Sequence, residues 1–140
     1  MINQYFLNVA VKDAQKSKVF FEAIGFQFEP MFSNETASSF KLTDSLYLMC
    51  LNTEFFESFT PKTKLNTVPH RLSQLNSLML QTKDDVDQIY AIAIEHGATE
   101  LRPKEETEDW MYGKSFIDLD GYGWELGWLD YSKFKQNPKE

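Results

Sequence analysis

The chain repeats itself, and this constrains its fold more than any other feature. Each half opens on a short alternating stretch that runs into a Lys-Asp pair. Leu7-Asn8-Val9-Ala10-Val11 precedes Lys12-Asp13, and Leu78-Met79-Leu80-Gln81-Thr82 precedes Lys83-Asp84, at an offset of 71. Period-two alternation reads as a strand, and the Asp that follows it as a helix N-cap. The first helix, about Ala14 to Ile24, gathers Ala14, Ser17, Phe20, Phe21 and Ile24 on one face and stops at Gly25. The second, about Asp85 to His96, gathers Val86, Ile89, Tyr90 and Ala93 and stops at Gly97. Glycine suits the left-handed residue that ends a helix. Each half then reaches a proline, Pro30 or Pro103, and a strand-turn-strand unit. Phe40-Lys41-Leu42-Thr43-Asp44 matches Phe116-Ile117-Asp118-Leu119-Asp120 at a second offset of 76, and the closing strands run over Leu46–Leu51 and Tyr122–Leu129.

A strand, a helix and about three strands in each half define an α+β chain of two βαβββ modules. Module one covers about residues 1–52, a connector about 53–72, module two about 73–132 and a C-terminal tail about 133–140, all within one domain. The connector contains Pro61 and Pro69 and carries Phe55, Phe56 and Phe59 at helical spacing, which predicts a short amphipathic helix. Its rings either plug one end of the core, meet a second copy of the chain or cover a pocket.

Charge narrows the partners. Fourteen Lys+Arg against 21 Asp+Glu give a net charge of −7. No basic cluster interrupts this, so nucleic acid is not an expected partner. The longest apolar run, Leu46 to Leu51, is too short to cross a bilayer. Cys50 alone cannot form an intrachain disulfide, and the first residues lack the pattern of a signal peptide, so a cytoplasmic protein is expected.

Leu7 to Phe26, followed by Phe116 to Asp130 with Trp110-Met111-Tyr112-Gly113 just before, resembles the vicinal oxygen chelate superfamily. That superfamily holds glyoxalase I, extradiol dioxygenases and bleomycin resistance proteins. The resemblance implies a curved, cupped mixed sheet with helices on the convex face and the ligand or metal on the concave one. Metal-using members draw one ligand, usually His or Glu, from the first and last strand of each module. Carried onto this chain through the two offsets, those positions are Phe6, Met49, Ser77 and Glu125. One carboxylate among four does not make a transition-metal site. No metal and no other cofactor is therefore expected, a divalent metal entering only under a different alignment. His70 in the connector and His96 at a helix end lie outside the strands, Cys50 alternates toward the helix-packed face, and Tyr122 stands where relatives often carry His after Asp-Gly.

With Glu125 in the cup, alternation sends Trp124, Leu126 and Trp128 to the convex side and leaves Gly123 and Gly127 as open space beside the carboxylate. The same parity lines the cup with Phe6, Asn8 and Ala10, with Tyr47, Met49 and Leu51, and with Ser77, Met79 and Gln81. The segment from Glu105 to Gly113 adds Trp110, Met111 and Tyr112 as a lid over the mouth. Apolar walls with sparse polar handles suit a small organic molecule. The expected ligand contacts are Phe6, Asn8, Tyr47, Met49, Ser77, Met79, Trp110, Tyr112 and Glu125. The function the resemblance implies is a metal-free binding protein, expected as a homodimer, that holds an apolar or cationic small molecule around Glu125. The alternative is an enzyme of the same superfamily: a glyoxalase-type lyase, an isomerase or an extradiol dioxygenase. It would be metal-dependent or would use Glu125 as a general base, with Asn8, Tyr47, Ser77 or Gln81 stabilising an oxyanion.

Overall fold

The computed structural model describes residues 1–63, 65, 72–103 and 106–133, and the chain divides into two compact units, Met1–Arg71 and Leu72–Glu140. The first contains β1 (Tyr5–Val11), α1 (Ala14–Ala23), β2 (Gln27–Phe28), a 3-10 turn at Pro30–Phe32, β3 (Ala37–Thr43), β4 (Leu46–Asn52) and α2 (Thr53–Ser58). The second contains β5 (Leu75–Met79), α3 (Lys83–Glu95), β6 (Thr99–Glu100), β7 (Glu106–Glu108), β8 (Met111–Ile117) and β9 (Gly123–Leu129), then a 3-10 turn at Tyr131–Lys133. The strand orders are β1-β4-β3-β2 and β5-β9-β8-β6, with β7 also paired to β8. In each sheet the first strand lies parallel to the last and the others are antiparallel. The two βαβββ modules read from the repeat are both present as open mixed sheets, the second with an inserted strand.

The helix ends follow from capping chemistry. Asp13 accepts from the backbone N–H of Gln15 and Lys16, and the Thr82 hydroxyl accepts from Asp85 N–H at 3.0 Å. Beyond the last turns, Gly25 and Gly97 take φ of 102° and 104°, a region that L side chains avoid. The two N-caps are 69 residues apart, Asp13 to Thr82, which corrects the offset of 71. The strand registers agree, since Asn8 pairs with Met49 and Ser77 with Glu125. Asn8, not Phe6, is thus the counterpart of Ser77. The Lys-Asp repeat misleads because Thr82 caps α3 two residues before Asp84, and β5 correspondingly ends at Met79, leaving Gln81 beyond the strand.

Each sheet buries one face under its own helix. In the first unit Phe20 and Phe21 pack with Val9, Val11, Phe40, Leu48 and Cys50, all at most 6% exposed. The Ser38 hydroxyl donates to Ala14 O at 2.6 Å, tying β3 to the start of α1. In the second unit Val86 and Ala93 of α3 meet a surface of Phe116, Trp124 and Leu126, and the Phe116 and Trp124 rings stack at 6.5 Å. Full burial of one such side chain contributes roughly 1.5–3 kcal/mol. The connector helix is α2, which packs against β1 and β4 and ends with the Phe59 ring 5.1 Å from Phe55 and largely exposed. Among the described residues no helix is long and apolar enough to cross a membrane.

The β8–β9 turn is organised around Asp118, which is 8% exposed. Its carboxylate accepts from Asp120 N at 2.9 Å, Tyr122 N at 3.0 Å and Trp124 Nε1 at 2.9 Å. These donors favour the anion, yet burial outweighs them and pushes the carboxyl up from 3.8 to about 6. A folded-state value above the unfolded one means that the native chain binds the extra proton first, so stability falls as pH rises from about 4 to 6. In urea unfolding at several pH values, wild type should lose roughly 3 kcal/mol relative to Asp118→Asn across that window, about 1.4 kcal/mol for each of roughly two pH units. A pH-independent difference between the two proteins would contradict this account.

Candidate functional site

The sheet face opposite α3 carries the polar constellation. Ser77 of β5, Glu125 of β9 and Ser115 of β8 lie in register across three adjacent strands. The Ser77 hydroxyl donates to Glu125 Oε1 at 2.9 Å, and Arg102 Nη2 donates to Oε2 at 2.8 Å. Arg102 reaches the row from the segment after β6, where Leu101 N bonds Ser115 O at 3.3 Å. The Arg102 and Glu125 side chains are 33% and 26% exposed. Partly hydrated pairs of this kind stabilise by about 1 kcal/mol, and a carboxylate held by two donors is fixed in orientation. Strand parity predicts the Ser77–Glu125 neighbourhood; it cannot predict Arg102, which comes from irregular chain. The one local signal is its place beside Pro103, where the chain re-enters the sheet.

Ser115 behaves differently. It is 2% exposed and its hydroxyl has no hydrogen-bond partner among the described residues. Ser39, at the matching position of the first module opposite Met49, is equally buried but donates to Phe32 O at 2.6 Å.

The glycines flanking Glu125 do not leave open space. A Cβ on Gly127 would lie 2.8 Å from Met79 Cε, and one on Gly123 would lie 2.9 and 3.0 Å from methyls of Leu72 and Leu75. The expectation fails because alternation gives direction and not volume: apolar side chains from β5 and the residues before it lie across the bare backbone. Glu125 is therefore bordered by apolar side chains along its own strand and by serines across the sheet.

Tyr112 leaves the candidate set. On β8 the odd positions share the face of Glu125 and the even ones face α3, where the Tyr112 hydroxyl donates to Asp87 Oδ1 at 2.5 Å and Lys114 Nζ pairs with Asp87 at 2.9 Å. These two partners hold the Asp87 carboxyl below its ordinary value. Trp110 sits at the β7–β8 turn, 37% exposed, with its carbonyl accepting from Asp130 N at 2.9 Å. The expected lid is in fact a hairpin: Glu106–Glu108 pairs with Met111–Gly113, which in turn pairs with β9.

In the first unit the corresponding sheet face carries aromatic rings. Phe6 and Tyr47 stack at 4.9 Å with 12° between planes, and Phe32 meets both edge-on at 5.7 Å. Phe32 belongs to the 3-10 turn after β2, again outside any strand pattern. Met49 is half-buried, and Asn8 is exposed with its amide donating to Phe6 O at 3.2 Å.

The corrected symmetric positions are Asn8, Met49, Ser77 and Glu125: an amide, a thioether, a hydroxyl and a carboxylate. Such a set does not fit a resident catalytic metal. Among the described residues no three His, Cys, Asp or Glu come together. His96 caps α3 with Nδ1 donating to Ile92 O at 2.9 Å, Cys50 is fully buried in the first core, and His70 lies outside the described residues.

Paired βαβββ modules are the architecture of the glyoxalase/bleomycin resistance protein/dioxygenase proteins, and the chain has that fold. No family model and no curated protein matches its sequence. Solved structures do match. Hypothetical protein SA1046 from S. aureus is 24% identical with a TM-score of 0.76, over 92% of this chain and 95% of that one. A glyoxalase/bleomycin resistance protein/dioxygenase family enzyme from Burkholderia phytofirmans PsJN is 18% identical with a TM-score of 0.74, over 89% and 97%. A glyoxalase-related enzyme from Fulvimarina pelagi is 16% identical with a TM-score of 0.76, over 91% and 88%.

The Arg102–Glu125 pair is open to a double-mutant cycle. Arg102→Met should destabilise by about 1 kcal/mol in wild type, and by clearly less in Glu125→Gln, as measured by urea unfolding. Equal losses in both backgrounds would mean that the two side chains do not couple.

Proposed function

We propose that the chain is a metal-free small-molecule-binding protein of the glyoxalase/bleomycin resistance type, which holds an apolar or cationic ligand at the sheet face carrying Glu125. The observation that carries this reading is the environment of Glu125: a part-exposed carboxylate, fixed by Ser77 and Arg102, bordered by Met79, Leu72 and Leu75. Apolar surface supplies affinity there, and one oriented charge pair supplies orientation. Because Arg102 already balances the charge of Glu125, the apolar limb of the reading is favoured over the cationic one.

The enzymatic alternative draws support from the fact that two of the structural neighbours are named enzymes. A general base needs a lone pair aimed at the substrate's proton, however, and here both carboxylate oxygens already accept from donors. That arrangement favours a contact over a base. The expected homodimer belongs to the same proposal, and the exposed Phe59 ring at the end of α2 supports it.

Elemental analysis of protein purified without chelators, followed by thermal-shift measurements across divalent metals and a panel of aromatic and cationic organic compounds, tests the proposal. The expected result is no stoichiometric metal and a rise in Tm with an aromatic compound, near 2.7 kcal/mol of added stability at a hundredfold excess over Kd. Metal at about one per chain with a large metal-induced shift would overturn it. Glu125→Gln should weaken binding of that compound; a variant that keeps affinity but loses a measurable turnover would establish the enzyme instead.

A further inference from the structure

We propose that the end of Met79 is a displaceable cover, and that the ligand of the Glu125 face is a neutral compound whose flat aromatic ring takes the place of the thioether on Gly127. The inference rests on the binding reading above and specifies the ligand class and the residue that selects it. Gly127 stands two residues beyond Glu125 on β9, so the pleat puts both on one face, and Met79 lies beside Gly127 in the β5–β9 register.

The two glycines that flank Glu125 are covered in different ways. The missing Cβ of Gly123 is met by methyls of three leucines, Leu72, Leu75 and Leu101, at 2.9, 3.0 and 3.5 Å. At Gly127, apart from its chain neighbours, the Met79 Cε at 2.8 Å and Sδ at 3.2 Å are the only atoms within 4 Å among the described residues. Three leucines form a packed wall. The end of one unbranched, freely rotating methionine does not. Met79 is also 48% exposed, so solvent already reaches the residue that must move. The β8 partner of Gly127 is Gly113, a second position without a side chain, where a Cβ would meet only backbone among the described residues, Leu126 O at 3.0 Å.

The chemistry of this floor selects the occupant. Paired Cα atoms on antiparallel strands lie about 5 Å apart, close to the width of one aromatic ring. A flat ring reaches van der Waals contact with both bare strands at once, whereas a puckered one touches them at a few atoms. The displaced sulfur stays near the ring, where a thioether about 5 Å from an aromatic edge is favourable. The Arg102–Glu125 pair beside it is balanced, so neither an ammonium nor a carboxylate is selected over a neutral compound.

NMR of the full chain carrying 13C-methyl methionine, titrated with 2-naphthol or its saturated counterpart decahydro-2-naphthol, tests this, with Met79→Leu used to assign the Met79 signal. Wild type should bind 2-naphthol about tenfold more tightly than the saturated alcohol. On binding, the Met79 methyl should change its shift and lose its NOE to the Gly127 Hα, while 2-naphthol gains one. Gly127→Ala should fold, because Gly127 is outside the left-handed region and only a flexible end must yield. Its new methyl fills the place of the ring, so 2-naphthol should bind about tenfold more weakly. Should that variant not fold, the NOEs in wild type decide alone. A Met79 methyl that stays on Gly127 with 2-naphthol bound, saturated alcohol binding as tightly, or a folded Gly127→Ala of unchanged affinity would overturn the inference and leave the binding reading standing. Failure of 2-naphthol to bind would also overturn it; the binding reading falls only if the organic panel above leaves Tm unchanged as well.

Discussion

The hydrogen bond from Trp124 Nε1 to the Asp118 carboxylate, at 2.9 Å, fixes the second module. It joins the turn that begins the β8–β9 hairpin to the second residue of β9, and both residues are buried, Asp118 at 8% exposure and Trp124 at 2%. Once the Trp124 ring is stacked on Phe116 and covered by the helix, the pleat leaves the next residue no choice of side. Glu125 must face away from α3, with Ser77 and Ser115 beside it. A one-residue slip of this hairpin would bury the carboxylate under the helix and expel an indole to solvent. The polar row is therefore a consequence of apolar packing on the opposite face.

The same parity explains why so much of the fold is legible in the amino-acid sequence. The repeat, the boundaries set by Gly25 and Gly97, and the faces of Trp124 and Glu125 are all local patterns of period two or 3.6 that the sequence displays openly. Even the error in the first offset is harmless to the faces. Placing Ser77 opposite Phe6 in place of Asn8 is a two-residue shift, which preserves the side of the sheet while changing the partner. What misleads is a repeated Lys-Asp pair whose two copies do different jobs. Asp13 caps its helix, whereas in the second module the Thr82 hydroxyl takes that role and Asp84 lies within the first turn.

The site is less legible than the fold because its decisive partners come from irregular chain. Arg102 follows a two-residue strand and Phe32 ends a 3-10 turn, and neither place has a periodicity from which a direction could be counted. Volume is equally hidden: glycine at 123 and 127 reads as space, but in a close-packed sheet a missing Cβ invites a neighbour, and Leu72, Leu75 and Met79 accept the invitation. Tyr112 misleads for a third reason. Counted as part of a lid it faces a pocket, but counted as the second residue of β8 it faces α3 and bonds Asp87.

The two modules share a backbone plan and have diverged in chemistry on the same face. The first fills it with three mutually packed rings, Phe6, Phe32 and Tyr47, and its buried Ser39 is satisfied by the carbonyl of the turn that brings Phe32 in. The second replaces rings with an ion pair, and its equivalent serine is left unbonded among the described residues. The difference between the two stretches that follow the helix thus accounts for two things at once: the turn that brings Phe32 in supplies both the aromatic cover and the acceptor. Arg102 arrives from the corresponding stretch of the second module, between the helix and the third strand, so the stretch that gives Ser115 no acceptor among the described residues also supplies the cation that holds Glu125. A carboxylate whose two oxygens both accept hydrogen bonds is held in one orientation, and that arrangement is what the proposed binding reading rests on.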